Sequence, residues 1–314
     1  MKFVLSIDGG GIRGVIPATI LAHLEKELEK PLHECFDLIS GTSTGAIIAA
    51  GLSLPENPVD QKARYRANDI LDFYIHDSGE IFSNQRNFIR RLFSSKYPSQ
   101  NLAKAIHEHI GSGTFDEMLT KVMIPAYDIS NRRPYFFKSW KYSVRDISTH
   151  KIVCASASAP TYFPPTRINF RNGVEPKYLI DGFVAANNPA MCAYCEAKRL
   201  WGDEDIFLLS IGAGDISDPV KNINHKHWGI FTWIPRLFSI MMDAPVNTVD
   251  YQLHTLSPDL YVRLQLKVIN SSEKIDDASR ENIANLQSEA NSLLLRERHR
   301  LERVISLIKD FKKD

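Results

Sequence analysis

The sequence has no run of about 18 apolar residues, the length that a helix needs to cross the hydrocarbon core of a membrane. We also expect no secretory signal, because the apolar stretch from Met1 to Ile7 is short and ends at Asp8 and three glycines. That stretch predicts a first β-strand, and we expect a cytoplasmic protein. No repeat or low-complexity linker divides the 314 residues, which favours one domain with a large core.

Cysteine is scarce and charge is balanced. Of the four cysteines, Cys192 and Cys195 have two residues between them, but no second such pair and no neighbouring histidine accompanies them. We therefore expect reduced thiols rather than a zinc site or a disulfide framework.

With 38 basic and 37 acidic residues, the net charge is +1, so the sequence gives no support for nucleic-acid binding.

Short apolar runs alternate with helical patterns from the first residues onward, which predicts an α/β fold. The predicted strands are residues 3–7, 36–39, 122–127, 135–137, 178–180 and 206–211. The predicted helices are residues 16–28, a helix that follows the serine turn and ends at about residue 52, and residues 60–76, 102–110, 147–157 and 190–200.

The most informative motif is Gly41-Thr42-Ser43-Thr44-Gly45, which follows an apolar strand and precedes small apolar residues. A strand that turns sharply into a helix at Gly-x-Ser-x-Gly presents the serine hydroxyl at the tip of the turn, where a substrate carbonyl can reach it. The glycines leave room for the close backbone approach of such a turn. Ser43 is therefore the candidate nucleophile, although so short a pattern also occurs by chance and in helix-capping serines.

A glycine loop, Asp8-Gly9-Gly10-Gly11-Ile12-Arg13-Gly14, follows the first strand. Its N–H groups can point at one spot beside a helix start, where a developing negative charge is favoured. Because loops after neighbouring parallel strands meet at one edge of a sheet, we expect this loop to converge with Ser43. The loop also matches the dinucleotide fingerprint, but no acidic residue ends the second strand, since Asp37 lies inside it. An oxyanion hole is favoured, and a nucleotide-binding module is the alternative.

Asp181, followed by Gly182, is the candidate general base. It ends the predicted strand 178–180, and a carboxylate there projects toward the edge of the sheet that holds the Ser43 turn. Asp-Gly is also frequent in ordinary turns and helix caps. Histidine is the more usual base, so an alternative is a His-assisted esterase acting on small soluble esters. The histidines after Asp181, none with a distinctive local context, are His225, His227, His254 and His299.

The motifs Asp-Gly-Gly-Gly-x-Arg-Gly, Gly-Thr-Ser-Thr-Gly and Asp-Gly occur in this order, together with the segments 155–164 and 187–190. In these features the chain strongly resembles the patatin-like phospholipases, which are lipid acyl hydrolases with a Ser/Asp dyad in place of a triad. The likeness extends through most of residues 3–212. It implies a three-layer α/β sandwich with a mainly parallel central sheet flanked by helices. It also implies a catalytic core over residues 1–215, with residues 216–314 packed on the same domain.

The resemblance implies roles for the motif residues. Ser43 would be the nucleophile and Asp181 the general base. The amides of Gly10 and Gly11, helped by that of Thr44, would form the oxyanion hole. The residues that would support the loop and the turns are Gly9, Arg13, Gly14, Gly41, Gly45 and Gly182.

Two side chains near these motifs carry further expectations. Arg13 resembles the family's arginine beside the hole, where it would lock the loop or neutralise a lipid phosphate. Phe183 stands where the family usually has glycine or alanine, and its ring would narrow the pocket. The implied reaction needs no metal and no cofactor. The implied substrates are membrane phospholipids or lysophospholipids, met by transient contact with a phospholipid surface. Related bacterial proteins are sometimes activated by a small nucleotide or a partner, so a small-molecule activator is also expected, whereas the sequence leaves the oligomeric state open.

Two segments of the C-terminal part have helical patterns. Residues 227–243 are apolar on one face and are interpreted as a lid or interfacial segment bent at Pro235, or as an ordinary core helix. Residues 276–311 carry apolar residues at steps of three and four, with a gap at Glu297. They predict a long amphipathic helix docked on its own domain, the alternative being a self-association helix.

Overall fold

The computed structural model describes residues 1–57, 59, 61–83, 85, 94–170, 175–216 and 229–312. The strands are β1 (Lys2–Ile7), β2 (Leu38–Gly41), β3 (Lys121–Asp128), β4 (Arg133–Lys138), β5 (Thr166–Ile168), β6 (Lys177–Asp181), β7 (Ile206–Ile211), β8 (Asp215–Ile216), β9 (Tyr261–Leu264) and β10 (Lys267–Val268). The main sheet has the order β5-β6-β3-β2-β1-β7-β9, with β4 also paired to β3, and β8 pairs with β10 separately. The pairings among β3, β2, β1, β7 and β9 are parallel, and those of β4, β5 and β6 are antiparallel.

One edge of β3 is shared by two strands. Met123 pairs with both β2 and β4, and Ala126 pairs with both β6 and β4. Because a strand has two edges and β4 occupies one of them at both positions, β2 and β6 follow each other along the opposite edge. β2 is parallel to β3 and β6 is antiparallel to it. Their carboxyl ends therefore face each other across the short stretch of β3 that contains Pro125.

The helices cover both faces of the sheet. They are α1 (Val15–Leu28), α2 (Leu32–Cys35), α3 (Thr44–Ser53), α4 (Ala67–His76), α5 (Ser78–Ile81), α6 (Ser99–Ile110), α7 (Thr149–Ala157), α8 (Phe183–Ala186), α9 (Ala190–Trp201), α10 (Ile230–Leu256), α11 (Arg280–Arg296) and α12 (Arg298–Phe311). Along β1, Phe3 and Leu5 point into a large apolar cluster shared with α1, α3, α11 and α12. Val4 points into a second cluster, which the alanines of α9 and Leu253 of α10 complete. The predicted three-layer α/β architecture is thereby confirmed.

Two predicted helices differ most from the structure. The helix predicted over residues 60–76 begins only at Ala67. Its start is fixed by acceptors for two backbone N–H groups, since Asp69 accepts from Arg66 and Glu25 accepts from Ala67. The helix predicted over residues 276–311 is divided at Glu297 into α11 and α12, and both helices bury side chains in the large cluster.

The C-terminal part contributes β9 to the main sheet, beside β7. Its α10 runs from Ile230 to Leu256 and includes most of the segment 227–243. Residues 227 and 228 and most side chains of that segment lie outside the described residues, so its interpretation as a lid or as a core helix stays a prediction. So does the division of the chain at residue 215. Among the described helices, none has the length and apolar character needed to span a membrane.

Candidate active site

Ser43 lies at a sharp turn between the end of β2 and the start of α3. Its backbone has φ 56° and ψ −117°, a conformation that costs free energy for a residue with a side chain. The turn is possible because two glycines allow the backbone to close up. A Cβ added at Gly41 would lie 1.9 Å from the carbonyl oxygen of Gly45, and one at Gly45 would lie 2.3 Å from that of Ile7. The motif glycines are therefore required sterically.

Asp181 contacts Ser43 directly. The Ser43 Oγ donates a hydrogen bond to Asp181 Oδ2 at 2.6 Å, between residues 138 positions apart in the chain. The two side chains meet because β2 and β6 end head to head along β3. The sequence prediction placed Asp181 beside the serine turn at the carboxyl end of a strand, and the antiparallel direction of β6 is what the pattern did not indicate. Glycine is also required at position 182, since a Cβ added there would lie 2.4 Å from the Pro125 carbonyl oxygen.

The Asp181 carboxyl group is buried, with 1% of the residue exposed. Burial raises its pKa to about 7, against a lowering effect of the hydrogen bonds from the Ser43 hydroxyl and the Phe183 N–H. The Phe183 N–H donates to Oδ1 at 2.9 Å, which leaves Oδ2 for the serine. A carboxylate with a pKa near neutrality is suited to general-base chemistry, because it exchanges a proton readily at physiological pH.

The glycine loop reaches the same place. Gly11 has φ 59°, and Ile12 donates its N–H to the Ile275 carbonyl at 2.8 Å. Within the described part of the chain, the N–H groups of Gly10, Gly11 and Thr44 donate to no protein acceptor. All three residues line the same cavity as Ser43. The arrangement offers free donors to a negatively charged oxygen, and the oxyanion hole itself stays a prediction.

The loop is anchored by an ion pair that the sequence did not reveal. Arg263 of β9 donates to both carboxylate oxygens of Asp8, at 2.9 and 2.5 Å, and also to Ser210 Oγ at 2.7 Å. Burial lowers the pKa of Arg263, but the Asp8 carboxylate outweighs this effect and the pKa is raised. Burial also raises the pKa of Asp8, and Arg263 offsets only part of that effect. Because Asp8 directly precedes the glycines, this bidentate pair fixes the start of the loop.

Arg13 is buried and 4% exposed. Its guanidinium donates to the Gly214 carbonyl at 3.0 Å, and burial lowers its pKa. Arg13 is not among the described residues that line the cavity of Ser43. Of the two expected roles, this position favours locking the loop against residues 212–214. Gly14, one residue further on, packs against the pair formed by Thr44 and Tyr74, whose hydroxyls are hydrogen bonded at 2.5 Å.

The end of α7 connects the two halves of the site. Ser156 Oγ accepts the N–H of Ser43 at 3.0 Å and donates to the Pro125 carbonyl at 2.6 Å. The Ser156 carbonyl also accepts the N–H of Gly182 at 3.1 Å. Pro125 lies in the gap between β2 and β6, where this edge of β3 has no strand partner. Because proline has no backbone N–H, no donor is left unpaired there. In the sequence, the segment 155–164 contributes only to the family resemblance, and no local feature indicates that Ser156 lies in the site.

Ser43 opens into a cavity of about 690 Å³, counted to its open mouth. Apart from Ser43, Asp181 and the glycine loop, its walls are mostly apolar, and they include Ile47, Ile81 and Phe163. Phe183 also lines this cavity, in accordance with the expectation that its ring occupies space there. Such a shape suits a ligand with a hydrocarbon chain and one polar reacting group.

The histidines considered as alternative bases do not join this site where they are described. His254 pairs with Asp250 on α10, and His299 is 98% exposed beside Glu302. Neither lines the cavity. His225 and His227 lie outside the described residues. Asp37, considered for the nucleotide alternative, precedes β2 and accepts the N–H of Phe3, so it lies at the opposite end of that strand from Ser43.

Comparisons with known proteins agree with the sequence motifs. A family model described as "Patatin-like phospholipase" matches residues 5–194. The chain is 33% identical to "Patatin-like protein 2" of Oryza sativa subsp. indica, an alignment that covers 94% of this chain and 84% of that protein. It is also 33% identical to "Probable inactive patatin-3-Kuras 1" of Solanum tuberosum, over 94% of this chain and 86% of that protein.

A solved structure shows the same fold at low sequence identity. "Human GIVD cytosolic phospholipase A2" aligns with a TM-score of 0.52 and 9% identity, and the match covers 98% of this chain and 60% of that chain. At this identity the likeness concerns the fold alone.

Proposed function

The chain belongs to the patatin-like phospholipase family, and from this premise we propose that it hydrolyses carboxylic esters of membrane phospholipids or lysophospholipids, with Ser43 as nucleophile and Asp181 as general base. The family supports lipid acyl hydrolysis in general. The observation that carries the more specific proposal is the 2.6 Å hydrogen bond from Ser43 Oγ to the buried Asp181 carboxylate. It lies in an apolar cavity with free backbone donors.

In the first step, Asp181 takes the hydroxyl proton of Ser43 while Ser43 Oγ attacks the ester carbonyl carbon. The carbonyl oxygen becomes an oxyanion, which the N–H groups of Gly10, Gly11 and Thr44 stabilise. The loss of one such donor typically costs about 3 to 4 kcal/mol of transition-state stabilisation. Collapse of the intermediate breaks the bond to the alcohol, which leaves with the proton from Asp181, and an acyl-enzyme on Ser43 remains.

In the second step, Asp181 removes a proton from a water molecule, and the resulting hydroxide attacks the acyl carbon. The second oxyanion forms at the same N–H groups. Its collapse expels Ser43 Oγ, which takes the proton back from Asp181, and the free fatty acid is released. One carboxylate thus serves both steps, which requires a pKa close to the working pH. The value of about 7 for Asp181 meets this requirement.

The substrate reaches the cavity by transient contact of the protein with a phospholipid surface. The apolar walls beside Ser43 accept the acyl chain, and the polar part of the lipid stays at the mouth. We further propose that the protein is cytoplasmic and that a small molecule activates it. These two parts are tested separately from the hydrolase activity.

The proposal is tested by incubating the protein with liposomes of mixed phospholipids and identifying the released products by mass spectrometry. We expect free fatty acid and lysophospholipid with the wild type, and neither with Ser43→Ala. Ser53→Ala is the matched control, since Ser53 lies on the same helix with its hydroxyl bonded to Ala49, away from the cavity. Fatty-acid release that persists in Ser43→Ala, or that is lost equally in the control, would contradict the assignment of Ser43.

A further inference from the structure

A single face of α3 connects the catalytic cavity with a second cavity. Ser43, Ile47 and Gly51 follow one another at intervals of four residues, so they lie on the same side of the helix. Ser43 lines the catalytic cavity, Ile47 lines both cavities, and Gly51 lines the second. The helical rise places Ile47 about 6 Å and Gly51 about 12 Å from Ser43 along the axis. The second cavity thus begins where a chain leaving Ser43 along this face would arrive.

The second cavity has about 380 Å³ of empty space, counted to its mouth. Its inner wall is apolar and includes Ile70, Ile106 and Ile110. Gly51 contributes no side chain to it, and a Cβ at that position would lie 2.9 Å from Ile70 Cδ1. The polar residues of the lining are Tyr65, Asp69 and His109, and each of them is more exposed than the three isoleucines. The buried part of the lining is therefore apolar.

Ile47 forms the partition between the two cavities. It is half-buried, whereas Ala46 and Ile48 beside it are fully buried. The difference follows from its position, because its side chain borders empty space on both sides. On the facing helix α4, Tyr74 lines the catalytic cavity and Phe73 lines the second, so the boundary continues across both helices.

We propose that the second cavity is a subsite for the distal end of a long acyl chain. Ile47 then sets the chain length that fits in the catalytic cavity alone. The inference deepens the proposed function, on which it rests. A short acyl chain ends before Ile47, and a longer one passes this side chain and enters the second cavity beside Ile106 and Ile110. Each methylene that gains burial there contributes a factor of up to about four in kcat/KM.

The test measures kcat/KM for p-nitrophenyl esters with acyl chains from C4 to C18. We expect Ile47→Ala to raise the ratio of C16 to C8 activity by at least about four-fold. Gly51→Leu is expected to lower activity on the longest chains while C4 to C8 activity is unchanged. Because a side chain at position 51 displaces Ile70, Ile106→Phe is included to fill the same cavity from another part of its lining. Ile48→Val is the control, since Ile48 borders neither cavity.

The outcomes separate this inference from the proposed function. If C4 and C8 esters are hydrolysed in a Ser43-dependent manner but none of the variants changes the chain-length profile, the subsite is refuted and the hydrolase stands. If no ester is hydrolysed, the proposed function fails, and binding of C8 to C18 fatty acids is measured by calorimetry instead. Tighter binding of the longer acids that Gly51→Leu and Ile106→Phe both remove would support the subsite on its own, and equal binding in all variants would refute it.

Discussion

Replacing Asp181 with asparagine should strongly reduce hydrolysis and, at alkaline pH, stabilise the protein. The Asp181 pKa is raised from 3.8 to about 7 by burial, so the native protein binds a proton over this range that the unfolded chain releases. The free energy of unfolding that depends on this group therefore falls as pH rises from about 4 to about 7, and it is constant above that. Asparagine carries no charge, so the free energy of unfolding of the Asp181→Asn variant does not show this decrease with pH.

The magnitude follows from the pKa values in the two states. Each pKa unit corresponds to about 1.4 kcal/mol, so ionising Asp181 in the native state costs up to about 4 kcal/mol at pH 8. At pH 5 the native carboxyl is still protonated while the unfolded one is ionised, and the cost is about 2 kcal/mol. The stability of Asp181→Asn relative to the wild type should thus rise by about 2 to 3 kcal/mol between pH 5 and pH 8.

The assay is chemical denaturation of both proteins at pH 5 and pH 8, with kcat/KM measured over the same range. Wild-type kcat/KM should increase with pH with a midpoint near 7, and the variant should lose a factor of about 10² to 10⁴. Asp128→Asn is the control of opposite sign, because burial raises the pKa of Asp128 but its hydrogen bonds from Asn131 and Lys177 lower it overall. A stability difference between wild type and Asp181→Asn that is the same at both pH values would refute the raised pKa and with it this account of the base.

Further predictions concern the residues that hold the site together. Gly45→Ala should prevent correct folding, measured as soluble yield and Tm, whereas Gly79→Ala, with nothing within 4 Å of the added Cβ, should be tolerated; equal tolerance would contradict the steric requirement. Removing Arg263 as Arg263→Gln leaves a buried carboxylate unpaired and should cost about 3 to 5 kcal/mol in denaturation; a change below 1 kcal/mol would show that the pair does not anchor the loop. Ser156→Ala removes the acceptor for the Ser43 N–H and should lower kcat with little change in KM, an effect that Ser156→Thr should partly rescue; an effect on KM alone would argue against a positioning role.

The local geometry of the nucleophile could be predicted because it depends on neighbouring residues. Gly41, Ser43 and Gly45 form one turn, and the steric demand on Gly41 arises within it, from the Gly45 carbonyl. The demand on Gly45 comes instead from the Ile7 carbonyl at the end of β1. The helix start at Ala67 could not be predicted in this way. Its backbone N–H group is satisfied by Glu25, a residue 42 positions earlier, and no local pattern contains that information.

The contact between Ser43 and Asp181 could be predicted only in part. The motifs marked both residues as candidates, and their resemblance to a family suggested the dyad. Neither indicated that β6 runs against β3, or that two strands share one edge of β3 and end head to head. The ion pair between Arg263 and Asp8 could not be predicted at all. An arginine in a short strand has no local feature that connects it to Asp8, 255 positions away.

By itself, the sequence determined the α/β class, the turn that presents the serine and the glycine loop with free N–H groups. These properties follow from side-chain size and from apolar periodicity, which act over a few residues. The tertiary structure alone decided the contact between hydroxyl and carboxylate, the ion pair that anchors the loop and the cavities along α3. Those depend on strand order and direction, which are set by packing between distant segments, and burial created there is what brings the pKa of Asp181 to about 7.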